Sequence, residues 1–195
     1  MKKTLFSAAL AAAFGLVAMQ ASASDGQINF TGKVTASNCI VTGGAGTGGE
    51  TKNISVKLDP VSTAAFAAAG DTAMDHTFTL KFGGTGSTGC TNGTVVSLNF
   101  DATVTPSGFA SSMVNTATGN LKNVTGAGNA TNVEVGLTTT SGQKINLSTN
   151  SNTPQATINS GGTASIDYVA HYVATGGLPT AGNVSTAVMY TVAYN

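Results

Sequence analysis

Apolar residues recur at every second position in Phe78, Leu80 and Phe82, in Val96, Leu98 and Phe100, in Val133, Val135 and Leu137, and in Ile166, Tyr168, Ala170 and Tyr172. A strand turns successive side chains to opposite faces, so each run predicts a β-strand with one face on a core and the other in water. Residues 43–49, 83–89, 125–129 and 160–162 separate the runs and are rich in Gly, Asn, Ser and Thr, the composition of turns. The pattern predicts an all-β antiparallel sandwich. One stretch departs from it. Residues 63–69 are alanine-rich and end at Gly70, which predicts a connection of at most about two helical turns.

The two ends carry the same alternation. Gly26, Ile28, Phe30, Gly32 and Val34 share one face, ahead of any turn that could pair them locally. This segment either docks into its own sheet or is available to another chain. At the other end Thr186, Val188, Tyr190, Val192 and Tyr194 alternate to the residue before the last. Terminal residues fray unless tied down, so the C-terminal strand needs a partner.

The first residues read differently. Lys2 and Lys3 precede an apolar run over 5–19, and Ala21-Ser22-Ala23 is a small-residue cleavage site, so residues 1–23 predict a secretory signal peptide. The run is shorter than the roughly 20 apolar residues of a spanning helix, and no later segment qualifies, so membrane insertion is not expected. Cleavage leaves residues 24–195 with six lysines against six aspartates and two glutamates, a net charge of −2. One domain fits that length. There is no arginine, and Lys33, Lys52, Lys57, Lys81, Lys122 and Lys144 are scattered, so no basic stripe exists to bind nucleic acid. Cys39 and Cys90 remain in the exported chain, where oxidation is favoured, and are expected to form a disulfide.

Candidate chemistry is thin. Gly44, Gly46 and Gly49, and again Gly84, Gly86 and Gly89, match the dinucleotide-binding spacing, but neither set opens the helix that the motif needs to face a pyrophosphate. His76 and His171 are the only histidines, too few for a three-histidine zinc site, and read as surface or edge residues. No Gly-x-Ser-x-Gly elbow occurs. Seven Asn-x-Ser/Thr triplets follow from the even Asn, Ser and Thr background. No enzyme activity, metal or cofactor is expected.

The Gly26-x-Ile28-x-Phe30-x-Gly32-x-Val34 stretch leads to Cys39; Cys90 follows the run Phe78-x-Leu80-x-Phe82; Gly182 stands fourteenth from the end and Tyr194 is penultimate. Residues 66–72 add a connection before the second strand. In this order, over residues 24–195, the chain resembles the pilins of chaperone-usher fimbriae, the type 1 and P pilus class, and is most similar to their major subunits. The resemblance implies an incomplete immunoglobulin-like sandwich over 35–195 that lacks its last strand, and a donor-strand extension over 24–34. A periplasmic chaperone, and then the neighbouring subunit at an outer-membrane usher, would supply the missing strand.

On this resemblance Gly26, Ile28, Phe30 and Gly32 are donor residues, and Gly182, Val188, Tyr190, Val192 and Tyr194 belong to the groove edge that pairs with the chaperone. The implied product is an extracellular head-to-tail fibre carrying a tip adhesin or adaptor. Two other readings compete with a shaft subunit. One is a minor adaptor of the same fibre. The other is a self-contained secreted β-sandwich that binds a ligand, disfavoured because Trp is absent and the Tyr and Phe residues fall on strand alternation.

Overall fold

The computed structural model describes residues 39–49 and 51–195. The expected signal peptide over 1–23, its expected cleavage site and the 24–34 stretch lie outside them. The described residues form nine strands: β1 Val41–Gly43, β2 Thr72–Gly83, β3 Val95–Asp101, β4 Leu121–Lys122, β5 Val133–Thr139, β6 Lys144–Ile145, β7 Gln155–Thr157, β8 Thr163–Ala174 and β9 Met189–Tyr194. The larger sheet runs β1-β2-β8-β5-β4, with β6 also on β5, and the smaller runs β7-β3-β9; every ladder within them is antiparallel.

The alternation seen in the sequence sets which face is buried. Phe78, Leu80 and Phe82 of β2, Val135 and Leu137 of β5, and Ile166, Tyr168 and Ala170 of β8 meet Val96, Leu98 and Phe100 of β3 in one core between the sheets. Tyr168 is its centre. It is fully buried, stacks on Phe78 at 5.4 Å and meets Phe100 of the opposite sheet edge-on at 6.3 Å, the offset and T-shaped contacts that ring quadrupoles favour. A smaller cluster of Phe66, Ala130, Val133, Tyr172 and Ala174 closes one end.

Residues 63–69 are a connection, as expected, while two other local expectations need correction. Residues 63–69 form only a single 3-10 turn, Thr63–Ala65, with Ser62 accepting from the Ala64 N–H. The Asp71 carboxylate accepts from the N–H groups of Ala67 and Ala68 at 2.7 and 2.8 Å, which holds them in a loop. The C-terminal ladder begins at Met189 rather than Thr186, because Ser185 bonds instead to Asn123 and Val124. His171 is not at the surface. It lies buried on the outer face of β8 opposite Gly136, where a Cβ would come within 2.7 Å of its ring. Burial lowers its pKa, opposed by the Asp75 carboxylate 3.8 Å away, so the ring is neutral at neutral pH.

On the same outer face Glu134 is also buried. Its charge is satisfied by the Asn115 amide, the Thr118 hydroxyl at 2.7 Å and the Asn120 amide at 3.0 Å. Among the described residues no helix is long and apolar enough to cross a membrane.

Cys39 and Cys90 are joined, closing a sequence separation of 51 residues between the approach to β1 and the approach to β3. On the chain-entropy account, a loop of that size is worth about 4 kcal/mol. Reduction, or paired replacement of Cys39 and Cys90 by alanine, should lower Tm by on the order of 10 °C. An unchanged melt under reducing conditions would show that the bond does not bear on stability.

Candidate functional site: a groove between two open strand edges

The antiparallel ladder of β9 with β3 defines which way its backbone points. Asn195 and Val95 exchange both backbone hydrogen bonds, at 2.9 and 3.3 Å. Bonded and non-bonded pairs alternate, so Ala193, Thr191 and Met189 also face β3, while the N–H and C=O groups of Tyr190, Val192 and Tyr194 turn to the opposite edge. Phe100 fits this register. Its backbone faces away from β9 and is held there by the Asn150 amide, at 2.7 and 3.0 Å. Among the described residues no strand pairs with the outer edge of β9.

A second edge faces the first. Ile54, Val56 and Leu58 are half-buried against the core while Ser55 and Lys57 are exposed, the alternation of a strand in a segment that joins no ladder. The Gly48 N–H donates to the Ser55 carbonyl at 2.9 Å on one side. By the alternation of an extended chain, the backbone groups of Ile54 and Val56 turn to the other side, toward the groove.

The glycine-rich loop 43–49 carries this wall. Gly44 donates to the Thr79 carbonyl and Thr79 to the Ala45 carbonyl, both at 2.8 Å, so the loop continues along β2. At Gly46, φ is +73° and a Cβ would strike the Thr77 carbonyl, so only glycine lets the loop lie this close. The wall is tied at one end by the Lys52 N–H to the Val41 carbonyl, 3.0 Å, and at the other by the Tyr172 hydroxyl to the Asp59 carbonyl, 3.2 Å.

Between the edges lies a groove of about 1370 Å³ whose floor includes Phe78, Leu80, Leu98, Phe100, Leu137 and Tyr168. That exceeds the roughly 300–1,000 Å³ of ordinary small-molecule sites. Tyr190 meets Lys52, and further along Val184 packs into the same small cluster as Leu58, so the two walls run antiparallel to each other. A strand laid between them would be parallel to one wall and antiparallel to the other.

Burial pushes the hydroxyls of Tyr168 and Tyr190 above the ordinary tyrosine value, so both stay protonated. The Tyr168 hydroxyl and Thr186 Oγ1 are buried without a hydrogen-bond partner among the described residues. Among those residues no group of three His, Cys, Asp or Glu is placed to hold a metal. Apolar floor plus two rows of backbone donors and acceptors make a site for an extended chain.

Of the residues singled out from sequence, Val188, Tyr190 and Val192 line the groove. Tyr194 stands at its end, where its hydroxyl accepts from the Cys39 N–H at 3.0 Å. Gly182 lies apart, pressed against the backbone of Asn129 and Ala130 beside the Asn129–Asn183 bridge. Gly26, Ile28, Phe30 and Gly32 lie outside the described residues. The wall of Ile54, Val56 and Leu58 went unread, although its period-two signal stands in the sequence. Pro106 and Ser107, which also line the groove, carried no signal.

A model of the fimbrial protein family matches residues 28–195. The major fimbrial subunit SMF-1 of Stenotrophomonas maltophilia (strain K279a) is 32% identical over 183 residues, covering 91% of this chain and 96% of that protein. The F17 fimbrial protein of Escherichia coli is 31% identical over 173 residues, 87% of each. Among solved structures, the Burkholderia pseudomallei antigen and type I fimbria protein BPSL1626 is similar at 18% identity and a TM-score of 0.43, with 81% of this chain and 98% of that one covered. The family match runs through both walls of the groove and both sheets to the last residue, and the chain belongs to the fimbrial protein family, as a structural subunit of a pilus.

Proposed function

We propose that this subunit polymerises by donor-strand exchange into the shaft of a chaperone-usher fimbria, as its major pilin, on the bacterial surface. The observation that carries the reading is the pair of open strand edges facing each other across one apolar groove. A strand added between them completes the smaller sheet: main-chain hydrogen bonds to Tyr190, Val192 and the 54–56 wall give affinity, and alternate side chains entering the groove give register.

The donor is the 24–34 segment of a neighbouring subunit. Its Ile28 and Phe30 enter the groove, each contributing on the order of 1.5–3 kcal/mol if fully buried. Gly26 and Gly32 bracket them where the strand passes close to the floor. In the periplasm a chaperone strand holds the same place until the usher exchanges it. Head-to-tail donation is a heterologous contact that does not close on itself, so it builds an open filament that ends in an adhesin or adaptor. A subunit leaves only by unzipping a whole strand, which makes the fibre's stability kinetic.

Two substitutions test the scheme. Gly26→Val should stop polymerisation while leaving the chaperone complex intact, since the change lies in the donor and not in the groove; fibres of normal length from this variant would contradict the assignment. Tyr194→Ser removes the ring at the groove end and its tie to Cys39. The yield of chaperone–subunit complex recovered from the periplasm should fall several-fold, as loss of one half-buried aromatic contact implies, and an unchanged yield would count against β9 as the pairing edge.

A further inference from the structure

Among the described residues two hydrogen bonds cross the groove, and both involve tyrosines of β9. The Tyr190 hydroxyl donates to the Lys52 carbonyl at 2.9 Å, and the Tyr194 hydroxyl accepts from the Cys39 N–H at 3.0 Å. Tyr194 does so at the groove's end, beside the disulfide. Tyr190 does so within the groove, where both it and Lys52 are lining residues. In the other half, where Val184 and Val188 share the groove with Val56 and Leu58, no hydrogen bond joins the two walls among the described residues.

Lys52 is unusual in a second way. Its φ of +66° places a non-glycine residue in the left-handed region. Such a conformation persists where its surroundings over-determine it. Here the N–H is held by the Val41 carbonyl and the C=O by Tyr190, one bond from its own side of the groove and one from the opposite wall.

We propose that Tyr190 is a releasable strap, which ties the two walls together in the unfilled subunit and sets the rate at which a strand enters. The proposal rests on the strand-insertion reading above. Neighbouring strands in a sheet lie about 4.8 Å apart, so a strand paired with both walls holds their backbones on the order of 10 Å from each other, with its own main chain where the phenol now crosses. The entering strand also needs the acceptors along the wall, and the Lys52 carbonyl is one that Tyr190 occupies. Strap and inserted strand therefore exclude one another. Lys52 is exposed, so water can take over its carbonyl while the exchange proceeds.

The test uses the mature chain, residues 24–195, kept dilute, with a fluorescently labelled synthetic peptide of residues 24–34 as probe. Tyr190→Phe keeps the ring and removes the tie. It should capture the peptide about three- to tenfold faster than wild type, the range that one neutral hydrogen bond confers. Ser141→Ala removes a side-chain hydrogen bond to Thr139 in the turn between β5 and β6, away from the groove, and should capture at the wild-type rate. The Tyr190→Phe chain should also melt lower than wild type when free and at the wild-type temperature when loaded. Equal capture rates for Tyr190→Phe and wild type, or the same loss of Tm in the free and loaded forms, would reduce the bond to a static contact and overturn the strap. Failure of wild type and variants alike to take up peptide would instead overturn strand insertion, and the strap with it.

Discussion

Backbone hydrogen-bonding groups at the edge of a sheet have to be satisfied, and here two such edges stand at the lips of an apolar groove. The outward N–H and C=O groups of Tyr190, Val192 and Tyr194 form one lip and the segment of Ile54 and Val56 belongs to the other, with Phe78, Phe100 and Tyr168 in the floor. An exposed edge over an apolar floor is a template for pairing with another chain. Water can serve the backbone groups, but it cannot serve the floor. One inserted strand would serve both, which is the requirement that the proposed exchange meets.

Other features of the fold tie down the ends of the two edges. The disulfide anchors the chain just before β1, and the Tyr194 hydroxyl binds the Cys39 N–H beside it. The glycine-rich loop lies flat along β2 and hands its Gly48 N–H to the far wall. The Tyr172 hydroxyl fixes the wall's other end at Asp59. These ties are few and lie mostly at the ends, which leaves the middle of the groove able to widen for a strand. Low charge suits the same purpose, since the groove's floor and walls carry few ions that insertion would have to desolvate.

The strands of the core were legible because each has one face buried and one wet, and period two records that directly: Phe78 to Phe82, Val96 to Phe100 and Ile166 to Tyr172 all fall inside ladders. The same rule overran at the C-terminus. Thr186 and Val188 alternate with Tyr190, but Ser185 is drawn to Asn123, and alternation alone does not say where pairing ends. Ile54, Val56 and Leu58 alternate too, in a short run set between a glycine loop and Pro60, and their meaning depends on the edge they face, which no local pattern states. Nor does spacing reveal that Glu134 would be buried: its three partners come from the 115–120 loop, folded over the outer face of β5. Glycine was read as turn-forming in 43–49. Its second use, close approach to β2 at Gly46, needs the third dimension.

The claim that the sandwich lacks one strand, which the 24–34 segment supplies to a neighbour, is tested most directly by melting a chain that begins at Thr35, with and without a synthetic peptide of residues 24–34. The account predicts that the truncated chain is marginal or aggregates alone, and that saturating peptide raises Tm by on the order of 10 °C or more. A truncated chain that melts as a stable monomer at the same temperature with and without peptide would contradict it.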